Sequence, residues 1–98
     1  MRKYTLTRKA EDDIREIWTY TLEEWDEEQA EIYLNGLESK IKEASENPDT
    51  IGQARPVIKS GYMSFLYESH IVFFRKEMNY IVVVRVLHQK MDIQKRLP

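Results

Sequence analysis

The sequence predicts an α+β domain: a short N-terminal strand, then an antiparallel helical hairpin packed on one face of a mainly antiparallel sheet of three to four strands. Three observations predict it. Apolar residues recur at three- and four-residue spacing through the first half of the chain. A joint bearing Pro48, Gly52, Pro56 and Gly61 comes next, and after it the period changes to two. The length of 98 residues leaves room for one domain, spanning 1–98.

Tyr4, Thr5 and Leu6 read as a first strand, and Thr7 as the N-cap of a helix beginning directly after it. Ala10, Ile14, Ile17, Trp18, Thr21 and Trp25 then mark one face of that helix, about 18 residues long. Glu11, Asp12 and Asp13 suit the positive end of its dipole. Asp26 with Gln29 resembles a capping box that starts a second helix. Its stripe is Ala30, Tyr33, Leu34, Leu37, Ile41 and Ala44, and Asn47-Pro48 ends it. So short a connection folds the two helices back on each other. Gly36 inside the second helix points to close backbone packing. Residues 63–67, 71–75 and 80–87 read as strands, with turns near Glu68-Ser69 and Glu77-Met78-Asn79. The middle run is apolar on both faces, as a central strand requires.

Composition excludes several classes. With no cysteine there is no disulfide, thiolate zinc site or Cys nucleophile. His70 and His88 alone do not make a metal site, and the scattered glycines do not form a phosphate-cradling loop, so neither metal nor cofactor is expected. No apolar run approaches a membrane span, and no signal-peptide core opens the chain, so a cytoplasmic protein away from membranes is expected. The net charge of −2 divides into −7 over residues 1–50 and +5 over 51–98. That split suggests either two differently charged surfaces or well-solvated acidic helices beside a basic sheet.

Strict alternation in the last strand puts Val82, Val84 and Val86 on one face, and Ile81, Val83, Arg85 and Leu87 on the other. Two helices cover one of these faces. The second is expected to be an open docking surface unless the 48–61 segment or the chain end folds over it. His88, at a strand end, suits either a general base or a strand cap, and Asp92 lies where it can pair with His88 or Arg85. Arg55, Arg75, Arg85 and Arg96 suit anions.

Longer stretches of the sequence carry a resemblance. Ala10-Glu11-Asp12-Asp13-Ile14-Arg15-Glu16-Ile17-Trp18-Thr19-Tyr20, then Trp25, then Gln29-Ala30-Glu31-Ile32-Tyr33, resemble the helical hairpin of ParE-type toxins. Asn47-Pro48, Gly52, Gly61 and His70-Ile71-Val72-Phe73-Phe74-Arg75 are similar to that family's middle. The stretch from Ile81 to Asp92, with Arg85-Val86-Leu87-His88 inside it, resembles its characteristic ending. The order is kept from Leu6 to Leu97. Asp26 stands where the family often has Gly, and Tyr62-Met63 where it often has Arg.

The resemblance implies the toxin of a type II toxin–antitoxin pair in the ParE/RelE superfamily. Such a toxin acts on DNA gyrase by binding, catalyses no reaction itself, and is neutralised by a ParD-like antitoxin whose C-terminal segment wraps it. No sequence-specific DNA binding by this chain is expected. Target contacts are expected at Arg75, Arg85, His88 and Asp92, and antitoxin contacts at Trp18, Tyr20, Trp25, Tyr33, Ile81 and Val83. The alternatives are a ribosome-dependent mRNA endonuclease of the RelE/YoeB branch, or a non-toxic interaction module that keeps the fold. In the endonuclease branch His88 aligns with the catalytic histidine, but His70 stands in place of an arginine and the closing aromatic is missing.

Overall fold

The computed structural model describes residues 4–55 and 61–96. Its elements run β1 (Tyr4–Leu6), α1 (Arg8–Glu24), α2 (Glu27–Glu46), α3 (Pro48–Ile51), β2 (Gln53–Ala54), β3 (Tyr62–Tyr67), β4 (His70–Lys76), β5 (Ile81–His88) and α4 (Ile93–Arg96). The strands form one sheet in the order β1-β5-β4-β3-β2, with β1 parallel to β5 and every other pair antiparallel. The apolar run of β4 is therefore central. A fifth strand joins the expected three to four because Gln53–Ala54 pairs with β3, and two residues are too few to show a period. Residues 56–60 of the joint and Leu97 lie outside the described residues.

The helix starts are set by cap chemistry. Thr7 Oγ1 accepts from the Ala10 N–H at 3.1 Å, and Asp26 Oδ1 accepts from the Gln29 N–H at 2.8 Å. Ala10 and Ile17 of α1 and Leu37, Ile41 and Ala44 of α2 turn inward. There they meet Phe65, Val72 and Phe74 of the sheet, which seals its first face.

The second face is a correction to the sequence reading. Tyr62, Phe73, Val82, Val84 and Leu87 form a second buried cluster, with Phe73 and Leu87 each 1% exposed. Ile93 of α4 packs against it, and Arg85 Nη1 donates to the Arg96 carbonyl at 2.7 Å. The chain's own end folds over the face that was expected to stay open.

The faces of β5 also differ from strict alternation. Phe73 pairs with Arg85 and Phe74 with Val83, so Val84 is an extra residue at a bulge. Ile81, Val83 and Val86 consequently face the helices, while Val82, Val84 and Leu87 face away. Ile81 and Val83, expected as antitoxin contacts, are 1% and 0% exposed in the helix-side core. Their side chains form no surface in the folded chain.

Candidate functional site

Two polar constellations stand out from this apolar frame. The first lies where β1 ends and leaves the edge of β5 open. Thr7 bridges the start of that gap: its N–H donates to the Val83 carbonyl at 3.0 Å and its hydroxyl to the Val84 carbonyl at 2.9 Å. Asp13, on the next turn of α1, closes the rest. Its carboxylate accepts from Arg85 Nε at 2.7 Å, from Arg85 Nη2 at 2.8 Å and from the Val86 N–H at 2.9 Å. The pair is two-pronged, and the side chains are only 13% and 8% exposed. The hydrogen bond to Asp13 holds the Arg85 guanidinium above its ordinary pKa. The sequence reading treated Asp13 as a dipole acid and missed this role. A carboxylate in the first turns of a helix carries no sign of a partner 72 residues away.

The second constellation sits at the far end of the hairpin formed by β3 and β4. His70 and His88 are directly opposed in register, with ring centroids 5.3 Å apart and planes at 81°. His70 Nδ1 shares a hydrogen bond with the Tyr33 hydroxyl at 2.7 Å. Tyr67 Oη donates to the Tyr33 carbonyl at 3.0 Å, and the two tyrosine rings meet edge to face at 5.1 Å. Gly36 makes this possible, because a Cβ there would overlap the Tyr67 hydroxyl. His88 Nδ1 accepts from the Lys90 N–H at 3.1 Å, which fastens the turn after β5.

Burial and the neighbouring His88 lower the pKa of His70 to about 4, against a smaller opposing pull from Asp13. The ring is neutral at pH 7. Burial raises the pKa of Tyr33 and Tyr67, so neither hydroxyl is primed to ionise. Because the folded state disfavours the charged imidazole, the stabilisation from His70 is complete above pH 6.5 and is lost as pH falls to about 4. With solvent screening at this half-buried ring, the expected loss is about 1–2 kcal/mol. Urea melts at steps across that interval should show it, and a His70→Gln variant should show a flatter profile.

The four residues expected to face a target sit in separate settings. Arg75 lies toward the other end of β4 from His70, on the second face, and pairs with Glu77 at 3.0 Å. Arg85 is committed to Asp13 and to the Arg96 carbonyl. His88 closes β5 beside His70, on the helix side. Asp92 is exposed in the turn after β5, with Lys95 Nζ at 4.0 Å. The anticipated pairing of Asp92 with His88 or Arg85 is not the one found. Among the described residues, no three His, Asp or Glu side chains converge as a metal set would require. No helix there is long and apolar enough to cross a membrane.

The four aromatics expected to meet an antitoxin all lie on the helical hairpin. Trp18 is half-buried in an apolar groove with Leu6, Ile14 and Leu34. Tyr20 is 63% exposed on the acidic side of α1. Trp25, 72% exposed, and the half-buried Tyr33 line a groove between the helical corner and the turn joining β3 to β4.

Comparison with known proteins agrees with this architecture. Residues 4–93 match the family model described as the ParE toxin of the type II toxin–antitoxin system parDE. The chain is 36% identical over 97 residues to Toxin ParE1 of Caulobacter vibrioides, covering 99% of each. It is 41% identical over 96 residues to Toxin ParE1 of Mycobacterium tuberculosis, covering 97% of each. A solved structure described as a chromosomal ParDE TA system from P. aeruginosa shares the fold, with a TM-score of 0.76 at 21% identity. That match covers 90% of this chain and 96% of the other.

Proposed function

Because the chain belongs to the ParE toxin family of type II toxin–antitoxin systems, we propose that it acts by binding DNA gyrase and is neutralised by a ParD-like antitoxin. Gyrase as target places its action in the cytoplasm. The observation that carries binding over RNA cleavage is the commitment of Arg85: every arm of its guanidinium already has a partner within the chain. Cleavage through a 2′-hydroxyl needs a base, an acid and cations on the phosphate. His70, neutral at pH 7 and tied to Tyr33, brings no cation where the endonuclease branch has an arginine, His88 Nδ1 already accepts from the Lys90 N–H, and Arg85 is not free for a phosphate.

In this reading Arg75, His88 and Asp92 contact the target, and Arg85 holds the strand that displays His88. Trp18, Tyr20, Trp25 and Tyr33 on the hairpin receive the antitoxin. Purified chain should block supercoiling by gyrase and leave cleaved DNA complexes while a translation extract runs normally. Cleaved mRNA with normal supercoiling would transfer the assignment to the endonuclease reading, and silence in both assays to an interaction module. The double variant Arg75→Ala, His88→Ala should lose most toxicity with its melting temperature nearly unchanged. Full toxicity in that variant would refute the assignment of the target-facing residues.

A further inference from the structure

The groove at the helical corner pairs apolar surface with unbalanced charge. Trp25 and Ile32 are 72% and 58% exposed beside Tyr33 and Tyr67. Between Arg15 and Lys40 the chain carries eight Asp or Glu and no Lys or Arg. Glu68 lines the groove from the turn between β3 and β4, and Glu24, Glu27, Glu28 and Glu31 are exposed on the ends of α1 and α2 that flank it. Among the described residues none of these five is in an ion pair. Ion pairs do form on other parts of the surface: Asp12 with Arg15, Glu43 with Lys40, Asp49 with Lys76 and Glu77 with Arg75.

We propose that the occupant of this groove is a basic amphipathic segment of the antitoxin, with apolar anchors separated by Arg or Lys. The inference rests on the reading that an antitoxin docks on the hairpin, and it adds the charge class of the docking segment. Apolar anchors cover Trp25, Ile32 and the Tyr33–Tyr67 shelf. Basic side chains satisfy the surrounding carboxylates, and an Arg laid on the open face of Trp25 gains a cation–π contact. An acidic segment would bring like charges together on the same path and be repelled.

Two synthetic peptides test this, identical in their Leu and Phe anchors, one with Arg and one with Glu between them. Binding to the full chain is read by calorimetry. The Arg peptide should bind at least about tenfold tighter at low salt, with the gap closing toward about 1 M salt. A Glu24→Lys, Glu28→Lys, Glu31→Lys variant, shown by its melt to be folded, should reverse the preference. Equal affinities, preference for the Glu peptide, binding of neither, or indifference to the triple variant would overturn the proposal. So would a salt-sensitive dimer of the chain formed through this groove. Supercoiling by gyrase is measured without peptide. Inhibition without a basic preference defeats this inference alone, and a basic preference without inhibition defeats the target assignment alone.

Discussion

Replacing Asp13 with alanine is expected to destabilise the chain by about 3–5 kcal/mol, the cost of stranding a buried charge. A 98-residue domain has only about 5–15 kcal/mol in total. Three accepted hydrogen bonds vanish together, the Val86 N–H loses its partner, and Arg85 is left unpaired at 13% side-chain exposure. The urea midpoint should fall at unchanged slope, since the folded and unfolded states keep their surface difference. A second change shows which part of the loss is the stranded charge. Asp13→Leu with Arg85→Met removes both charges and should recover part of the stability, leaving chiefly the uncapped Val86 amide. A loss under about 1 kcal/mol for Asp13→Ala would mean the pair behaves as a solvated surface bridge. Toxicity lost in any Arg85 variant must accordingly be read beside its melt.

The second large effect is expected at Phe73→Ala, on the face of the sheet away from the helices. Phe73 is 1% exposed within the cluster that Ile93 packs against. Truncating a buried Phe removes its transfer energy and leaves a cavity, together about 3–5 kcal/mol. On an open docking face the same change would cost little. The two pictures of this face therefore differ by several kcal/mol in one denaturation curve. Near-parental stability in Phe73→Ala would restore the open face.

What could be read from the sequence was what short-range chemistry determines. Thr7 and Asp26 cap the helices they were expected to cap, because a cap is decided within three residues. The helical stripes and the change of period located α1, α2 and three of the strands, and the family resemblance came from the same stretches. The bulge at Val84 was not visible. It depends on which residues of β4 stand opposite, and one inserted residue exchanges the faces beyond it, so Val86 and Leu87 were assigned to the wrong sides. Ile93 gave no sign that the chain end closes the second face, since Met91, Ile93 and Leu97 scattered through a polar tail set no clear face. The Asp13–Arg85 and Tyr33–His70 contacts join residues 72 and 37 positions apart, and only the folded topology brings them together.

These corrections bear on the proposal that the antitoxin docks on the helical hairpin. Ile81 and Val83 are interior, the second face is occupied from within, and Tyr20 and Trp25, the most exposed aromatics among the described residues, are on the hairpin. Hydroxyl-radical footprinting of the chain with and without its antitoxin tests this most directly, because it reports side-chain exposure residue by residue. Reactivity should fall at Tyr20, Trp25 and Ile32 and stay unchanged at Leu66 and Met91. Protection at Leu66 and Met91, with the hairpin aromatics as reactive as in the free chain, would contradict the account.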